Sequence, residues 1–407
     1  MGYEYEEANL QVGSAEFNNA LEKAWVSKER LGCKCSSTNP PMYVAKVSGH
    51  FIVKRMPGTG HLHHPDCLSY MPPAGVSGLG QVLDSAIQHS EEDNQTLLRL
   101  DFSLSQSGKR PPMPPPSSEG ATEAVSAPRK LTLTGLLHYL WHEADLVKWM
   151  PRFEGKRSWG VIHNAITFAA DGIVAKGNPL AERLYIPKPF RMDHKAELES
   201  QRRAAFARLQ NAKTSTKQLG MVIAEYKAHA PTQRGAKFVF KHIPGCGFFA
   251  DQDLTDRFER VFQDAIDLVD IVDDAHLIVM ATYSIARAGY PELNTIAAMP
   301  VSRNWVPFEN LNDLTLFDQI AQEGRPFIRP LRFNLPKSEM VASALLIDTV
   351  PPVACYIGPH LPEGIDEDYP SWLWTADCNF PALPRSEKQE YNDMLDKQQA
   401  IANRQRG

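Results

Sequence analysis

The chain has 407 residues, of which 43% are hydrophobic and 22% are charged; this is typical of a folded globular protein with room for two or three domains. The formal net charge of −5 excludes a chain that is basic over its whole surface, although local basic patches are compatible with it. The apolar runs are too short to span a bilayer and the acidic N-terminus lacks a signal-peptide pattern, so we expect a cytoplasmic protein with no membrane partner.

Within the N-terminal segment, residues 1–30, apolar side chains at 17, 20, 21, 24 and 25 have helical spacing and predict an N-terminal helix. Residues 31–104 follow as a second segment. Within it, strand-forming runs at 42–47 and 50–55 flank Ser48-Gly49, which predicts a β-hairpin. The segment continues with a predicted amphipathic helix over 78–90 and an alternating, strand-like run over 96–104.

Two groups of metal-ligating residues enclose the predicted hairpin, Cys33-Lys34-Cys35 before it and His63-His64-Pro65-Asp66-Cys67 after it. Thiolate and imidazole are ligands that Zn²⁺ prefers, and four of them close a tetrahedral structural site. A hairpin would bring the second group of residues close in space to the first group. The predicted ligands are Cys33, Cys35, His63 and Cys67, with His61 and His64 open as replacements for His63. The other three cysteines are scattered and indicate no disulfide framework.

A Pro- and Ser-rich run over 105–129 cannot bury a core and predicts a flexible linker. Beyond it we expect a helical region over 130–215, with helices from about 131 to 144, 157 to 170 and 193 to 210. An α/β region over 216–362 follows, with strands near 219–224, 237–241, 276–281, 341–347 and 353–357 and a helix near 253–272. Residues 363–407 are predicted to form a polar tail. The predicted fold class is therefore α+β, in which a small zinc-bound hairpin module is linked to a larger helical and mixed-sheet body.

Short motifs spread over most of the chain resemble the bacterial domain-of-unknown-function 1173 family. They lie at 54–60, 63–67, 78–83, 137–141, 155–159, 305–310 and 331–336. The resemblance implies a protein of plasmids and integrative conjugative elements, with a general link to DNA transfer or maintenance and no established activity. It also implies that the ligand is the histidine two residues before the proline, which is His63 and not His64.

Two basic groups are candidates for contacts to DNA or RNA. Basic side chains neutralise phosphates while a neighbouring aromatic ring stacks on a base. A solvated lysine face and buried tryptophans explain the same pattern without nucleic acid. The residues concerned are Lys34, Lys46, Lys54 and Arg55 in the zinc module, and Lys156 and Arg157 beside Trp159.

An enzyme-like feature is Ile223-Ala224-Glu225-Tyr226-Lys227, an apolar strand that ends in Glu-x-Lys. Restriction-type nucleases use such a motif to hold Mg²⁺ and to orient the attacking water. A second acid, Asp348, also follows a predicted strand. The pattern is incomplete, because such nucleases also need an upstream acid at the start of a neighbouring strand, and the nearest candidate, Asp193, begins a predicted helix. A glutamate and a lysine also commonly end a surface strand without any catalytic role.

Three hypotheses of function follow. The leading one is a zinc-binding accessory protein of a bacterial mobile element that binds nucleic acid without catalysis. The second is a Mg²⁺-dependent or degenerate nuclease that uses Glu225, Lys227 and Asp348. The third is an adaptor that binds conjugation or replication proteins.

Overall fold

The computed structural model describes residues 2–6, 8–47, 49–90, 95–106, 129–210, 217–363 and 369–395. The N-terminal part begins with two strands, and the helix predicted from the apolar spacing at residues 17–25 follows them. Helix α1 starts only at Ala15, because the Ser14 hydroxyl accepts a hydrogen bond from the backbone N–H of Phe17 at 3.1 Å and caps the helix there. Its elements are β1 (Gly2–Tyr5), β2 (Ala8–Gln11), α1 (Ala15–Ser27), β3 (Leu31–Cys33), β4 (Pro41–Val47) and β5 (His50–Arg55).

The predicted hairpin is confirmed. Strands β4 and β5 are antiparallel, from Met42 opposite Arg55 to Val47 opposite His50. Gly49 in the turn has φ +87°, a backbone conformation that glycine adopts without steric cost. The strand order β2-β1-β3-β4-β5 places β3 in the middle of this sheet, and α1 packs on β4 and β5.

The helix predicted over 78–90 is wrong. Only a short turn, α2 (Leu79–Val82), is helical, and Asp84 then adopts φ +61° and ends it. The chain continues as β6 (Ile87–Ser90), β7 (Gln95–Leu98) and β8 (Ser105–Gln106). The strand predicted over 96–104 ends at Leu98. Beyond it Leu100 forms an isolated bridge with Leu131, and Leu100 and Leu104 remain buried. Most of the predicted linker, residues 107–128, lies outside the described residues.

All three helices expected in the next region are present. Helix α3 is capped by Thr132, whose hydroxyl accepts from the N–H of Gly135 at 2.9 Å. The strand order β11-β10-β7-β6 links this region to the preceding strands. The elements are α3 (Leu133–Glu143), β9 (Lys148–Trp149), α4 (Trp159–Ala170), β10 (Ile173–Ala175), β11 (Asn178–Pro179), α5 (Leu180–Arg183), β12 (Leu184–Tyr185) and α6 (Lys195–Gln210).

A six-stranded sheet with the order β12-β14-β15-β16-β18-β17 follows, in which β14 also pairs with β17 so that the sheet closes on itself. Aromatic side chains fill its interior, among them Phe238, Phe248 and Phe258. Strand β14 is longer than predicted, and the loop to β15 is correspondingly shorter. The elements are β13 (Lys217–Gln218), β14 (Gly220–Thr232), β15 (Gly235–Phe240), β16 (Phe248–Asp251), α7 (Gln252–Ile271), β17 (His276–Ile285) and β18 (Pro291–Val301).

The last part contains α8 (Leu311–Gln322), β19 (Phe327–Ile328), β20 (Ala344–Leu346), β21 (Val353–Ile357) and β22 (Ser371–Trp374). The order β22-β21-β20-β19 means that the predicted polar tail contributes a strand. Strand β22 is held because Trp372 and Trp374 both pack on Phe380. Residues 387–395 are helical, as expected for the end of the chain.

The chain forms two compact units that are discontinuous in sequence, unlike the contiguous predicted segments. The first contains Met1–Gly80, Leu316–Pro330 and Met340–Gly407, and the second contains Gln81–Thr315 and Leu331–Glu339. Helices and sheets are mixed throughout, which confirms the α+β class. Across the described ranges, each helix is too short or too polar to cross a membrane.

Candidate metal centre

The sheet of the first unit brings the two predicted ligand groups together. Cys33 ends β3, where it lies opposite Tyr3 of β1, and its N–H donates to the carbonyl of Pro40 at 2.9 Å. The β4–β5 hairpin then returns the chain, as the sequence predicts. A 3₁₀ turn at Gly60–Leu62 directly precedes His63, and the Cys67 N–H donates to the His64 carbonyl at 2.8 Å.

A glycine is required at this turn. A Cβ on Gly60 would lie 2.6 Å from the Cβ of Met71, a separation that side chains do not adopt. The Gly60 carbonyl accepts the N–H groups of both His63 and Met71. Gly60 therefore allows the two arms of the loop to approach and sets the direction in which His63 leaves the turn.

The four predicted ligands form one cluster. One ligand atom from each of Cys33, Cys35, His63 and Cys67 lies within 4.8 Å of the others. The Sγ atoms of Cys33 and Cys67 are 3.8 Å apart, and His63 Nδ1 is 3.3 Å from Cys35 Sγ and 3.7 Å from Cys67 Sγ. A tetrahedral ion with bonds of about 2.3 Å to sulfur and about 2.0 Å to nitrogen needs separations of about 3.8 and 3.6 Å. The donor set therefore fits one tetrahedral metal ion.

Burial and hydrogen bonding distinguish the thiols. Cys33 and Cys67 are buried, and Cys35 is half-buried. The hydrogen bond with Cys67, together with burial, raises the pKa of Cys33. Contacts from Cys33, His63 and the backbone N–H of Ser69 lower the pKa of Cys67 to about 3. The lowered pKa favours the thiolate form of Cys67, which is the form that binds metal.

The structure distinguishes between the three histidines. His63 is 3% exposed, and its Nδ1 faces the sulfur atoms. His61 and His64 are exposed, and His64 Nδ1 instead accepts the N–H of Asp66. The cluster therefore contains His63, and neither alternative histidine belongs to it.

The basic residues predicted in the module are largely engaged locally. Lys34 Nζ lies 2.9 Å from a Glu4 carboxylate oxygen, and Arg55 donates to the Ser69 carbonyl at 3.2 Å. Lys54 lies over the ring of Tyr43 at 5.8 Å. Lys46 is exposed, and its ammonium lies between two rings, 5.0 Å from the centroids of both Trp25 and Phe51.

The two residues of the second basic pair, Lys156 and Arg157, differ in how far they are buried. Lys156 is exposed. The Arg157 guanidinium donates to four backbone carbonyls, and burial lowers its pKa to about 10. These carbonyls belong to Asp145, Leu146, Lys148 and Asn304. Arg157, which precedes α4, thus links its own segment to the turn that leads into β9 and to the loop after β18, all in the second unit.

The residues of the nuclease hypothesis have protein partners. Asp348 receives two hydrogen bonds of 2.8 Å from the Arg325 guanidinium in the first unit. Glu225, in the second unit, accepts from Lys241 at 2.5 Å and from His276 at 2.6 Å. Lys227 is exposed. Sequence reasoning missed Lys241 and His276; the only signal was their position, directly after β15 and at the start of β17.

Comparison with known proteins gives one match. A family described as protein of unknown function (DUF1173) matches residues 3–376. The matched range contains all four residues of the metal centre. No curated protein and no solved structure matches the chain.

Proposed function

The chain belongs to the DUF1173 family, and from this membership and the geometry of the metal centre we propose a zinc-binding accessory protein of a bacterial mobile element that binds nucleic acid. The observation that carries the proposal is the cluster of three sulfur atoms and one imidazole nitrogen within 4.8 Å. The role in a mobile element rests on the resemblance to a family carried by plasmids and conjugative elements.

Zinc is the metal that best suits this donor set. Soft thiolates select against Mg²⁺ and Ca²⁺, which take oxygen ligands, and a tetrahedral S₃N set is typical of structural zinc. The four side chains fill all four positions, so that no site remains for a substrate or an activated water. The ion would therefore stabilise the fold of the loop between β3 and the 3₁₀ turn and would take no part in a reaction.

Metal analysis of the purified full-length chain tests this part of the proposal. We expect about one zinc per chain, and we expect Cys33→Ser and Cys67→Ser to lose it because each removes one of only four ligands. Cys378→Ser is the matched control, since Cys378 is an exposed cysteine outside the cluster. Full zinc occupancy in both ligand variants would show that Cys33 and Cys67 do not bind the ion, and would reject the proposed site.

Nucleic-acid binding is supported by one surface of the module. Trp25 is 42% exposed, and the ammonium of Lys46 lies 5.0 Å from its ring centroid and from that of Phe51. A base can stack on an exposed indole while the adjacent ammonium neutralises a phosphate. This arrangement favours single strands, whose bases are free to stack.

Binding of labelled single- and double-stranded DNA and RNA across a salt series tests this second part. We expect binding that weakens steeply with salt, and we expect Lys46→Gln to reduce the salt slope by about 1. Trp25→Ala should weaken single-strand binding by about 1–3 kcal/mol. The charge-matched control is Lys388→Gln, at another exposed position. No binding at low salt would reject nucleic acid and leave an adaptor for conjugation or replication proteins.

A further inference from the structure

A buried carboxylate lies where three strands of the second unit meet. Glu225 follows the apolar stretch of β14 and is 3% exposed. Its Oε1 atom accepts hydrogen bonds from His276 Nδ1 at 2.6 Å and from Lys241 Nζ at 2.5 Å. Burial alone would raise the pKa of Glu225, but these two partners outweigh it and lower the pKa. The Glu225 carboxylate is therefore ionised and holds the side chains of Lys241 and His276 in place.

Two contacts fix the orientation of the His276 imidazole ring. Its Nδ1 is bound to Glu225, and its ring stacks on Trp305 with a centroid distance of 4.1 Å and an interplanar angle of 14°. Trp305 in turn contacts Trp159 at 5.9 Å, and Trp159 stacks on His242 at 5.5 Å. These rings leave His276 little freedom to rotate. A carboxylate on Nδ1 assigns the proton to that nitrogen and leaves the Nε2 lone pair available.

The backbone around the cluster is unusual. Trp305 and His242 have φ of +62° and +64°, the left-handed region that costs bulky residues about 1–3 kcal/mol. Strand β14 also has a register irregularity between Tyr226 and Ala228, directly after Glu225. Strained residues and β-bulges concentrate at functional sites, where they direct side chains into place.

The solvent-facing side of the cluster consists of Lys241 and His276. His276 retains 19% of its side-chain surface and Lys241 retains 44%, whereas Glu225 retains only 4%. One lysine ammonium and one imidazole therefore face solvent above a hidden carboxylate. An ester with a negative charge at its reacting centre, a phosphodiester, complements this surface.

We propose that His276 and Lys241 form a metal-independent hydrolytic site for phosphodiesters, with Glu225 as the positioning residue. The Nε2 atom of His276 takes a proton from a water molecule as its oxygen attacks phosphorus. The bond from phosphorus to the leaving oxygen breaks, and the imidazolium returns the proton to that oxygen, so that a phosphomonoester and an alcohol result. Free N–H donors of Lys241 bind the non-bridging oxygens. This site goes beyond the proposed function and does not depend on the zinc centre.

Release of 4-nitrophenolate from bis(4-nitrophenyl) phosphate, without added divalent metal, tests the site on the full chain. We expect turnover by the natural protein and a loss of about 10²–10⁴-fold in His276→Asn, the range for a general base. Glu225→Gln should lower kcat with little change in KM, and Lys241→Met should raise KM. His194→Asn is the matched control, because His194 is also paired with a carboxylate, Glu197 at 3.3 Å, but is exposed.

Chemical rescue distinguishes a catalytic role of His276 from a purely structural one. Added imidazole should restore part of the activity of His276→Ala, which it cannot do if the variant is inactive because it is misfolded. Partial rescue, with loss of turnover in His276→Asn, supports the proposal. Absence of turnover by the natural protein, equal turnover by His276→Asn, or hydrolysis of only the monoester 4-nitrophenyl phosphate would overturn it.

Discussion

Replacement of Arg157 separates a structural role from a nucleic-acid contact. The sequence places Arg157 beside Lys156 and Trp159, in a pattern that predicts phosphate binding. In the structure its guanidinium donates to carbonyls at 145, 146, 148 and 304. Arg157→Met would remove every one of these donors while keeping a side chain of similar length.

The expected magnitude follows from the number of hydrogen bonds. A hydrogen bond from a charged donor contributes about 1.5–3 kcal/mol, and a buried carbonyl left without a partner costs about 1–3 kcal/mol. Some of the four carbonyls would be rehydrated, because Arg157 is not completely buried. We therefore expect Arg157→Met to lower the free energy of unfolding by about 3–6 kcal/mol.

Urea unfolding monitored by tryptophan fluorescence measures this loss, since Trp159 and Trp305 lie in the same unit. Arg157→Lys keeps the charge but not the planar fork of donors, and it should be intermediate. Lys156→Gln, at the exposed neighbour, should change the free energy of unfolding by no more than about 0.5 kcal/mol. A stable Arg157→Met protein with weakened DNA or RNA binding would refute the structural role and restore the prediction made from sequence.

Three further predictions concern the candidate metal centre and the carboxylates of Asp348 and Glu225. His63→Gln should lose zinc in a metal analysis and His64→Gln should retain it; the reverse would move the ligand to His64. Asp348→Ala should cost about 3–5 kcal/mol in urea unfolding, because Arg325, 3% exposed, would be left without its bidentate partner; a loss below about 1 kcal/mol would contradict this. The lowered pKa of Glu225 means that its stabilising contribution is present above its ordinary pKa of 4.5 and is lost as the pH falls through the lower folded value. Thermal unfolding from about pH 5 to 3 should therefore decline more steeply for the natural chain than for Glu225→Gln, and equal slopes would contradict the shift.

Local patterns in the sequence predicted much of the secondary structure correctly. The β4–β5 hairpin and helices α3, α4 and α7 depend on neighbouring residues, such as a turn glycine, a capping side chain and an apolar stripe. The prediction over 78–90 failed because buried residues at 82, 86 and 87 have helical spacing but belong to two elements separated by a turn at Asp84. Apolar spacing alone does not show where such a stripe is interrupted.

The candidate metal centre was predictable because its four residues come from short segments that are close together in the sequence. Its four ligands come from two tight turns joined by one hairpin, so residue type and spacing largely determine the site. Of the three nearby histidines, His63 is the one that lies in the cluster with the cysteines, as the family resemblance implied. Sequence spacing left that choice open, because it depends on how the turn after Gly60 directs each side chain.

The sequence by itself determined the α+β class, the hairpin and the three clustered cysteines of the candidate metal centre, since each rests on propensity and spacing within short segments. Only the tertiary structure decided which charged residues are surface groups and which are internal. Arg157 finds one partner 147 residues away at Asn304, and Glu225 finds His276 51 residues away. The physical reason is that the burial and pairing of a charge depend on contacts with strands and loops that are distant in sequence. A local sequence pattern does not show which distant segments will make those contacts.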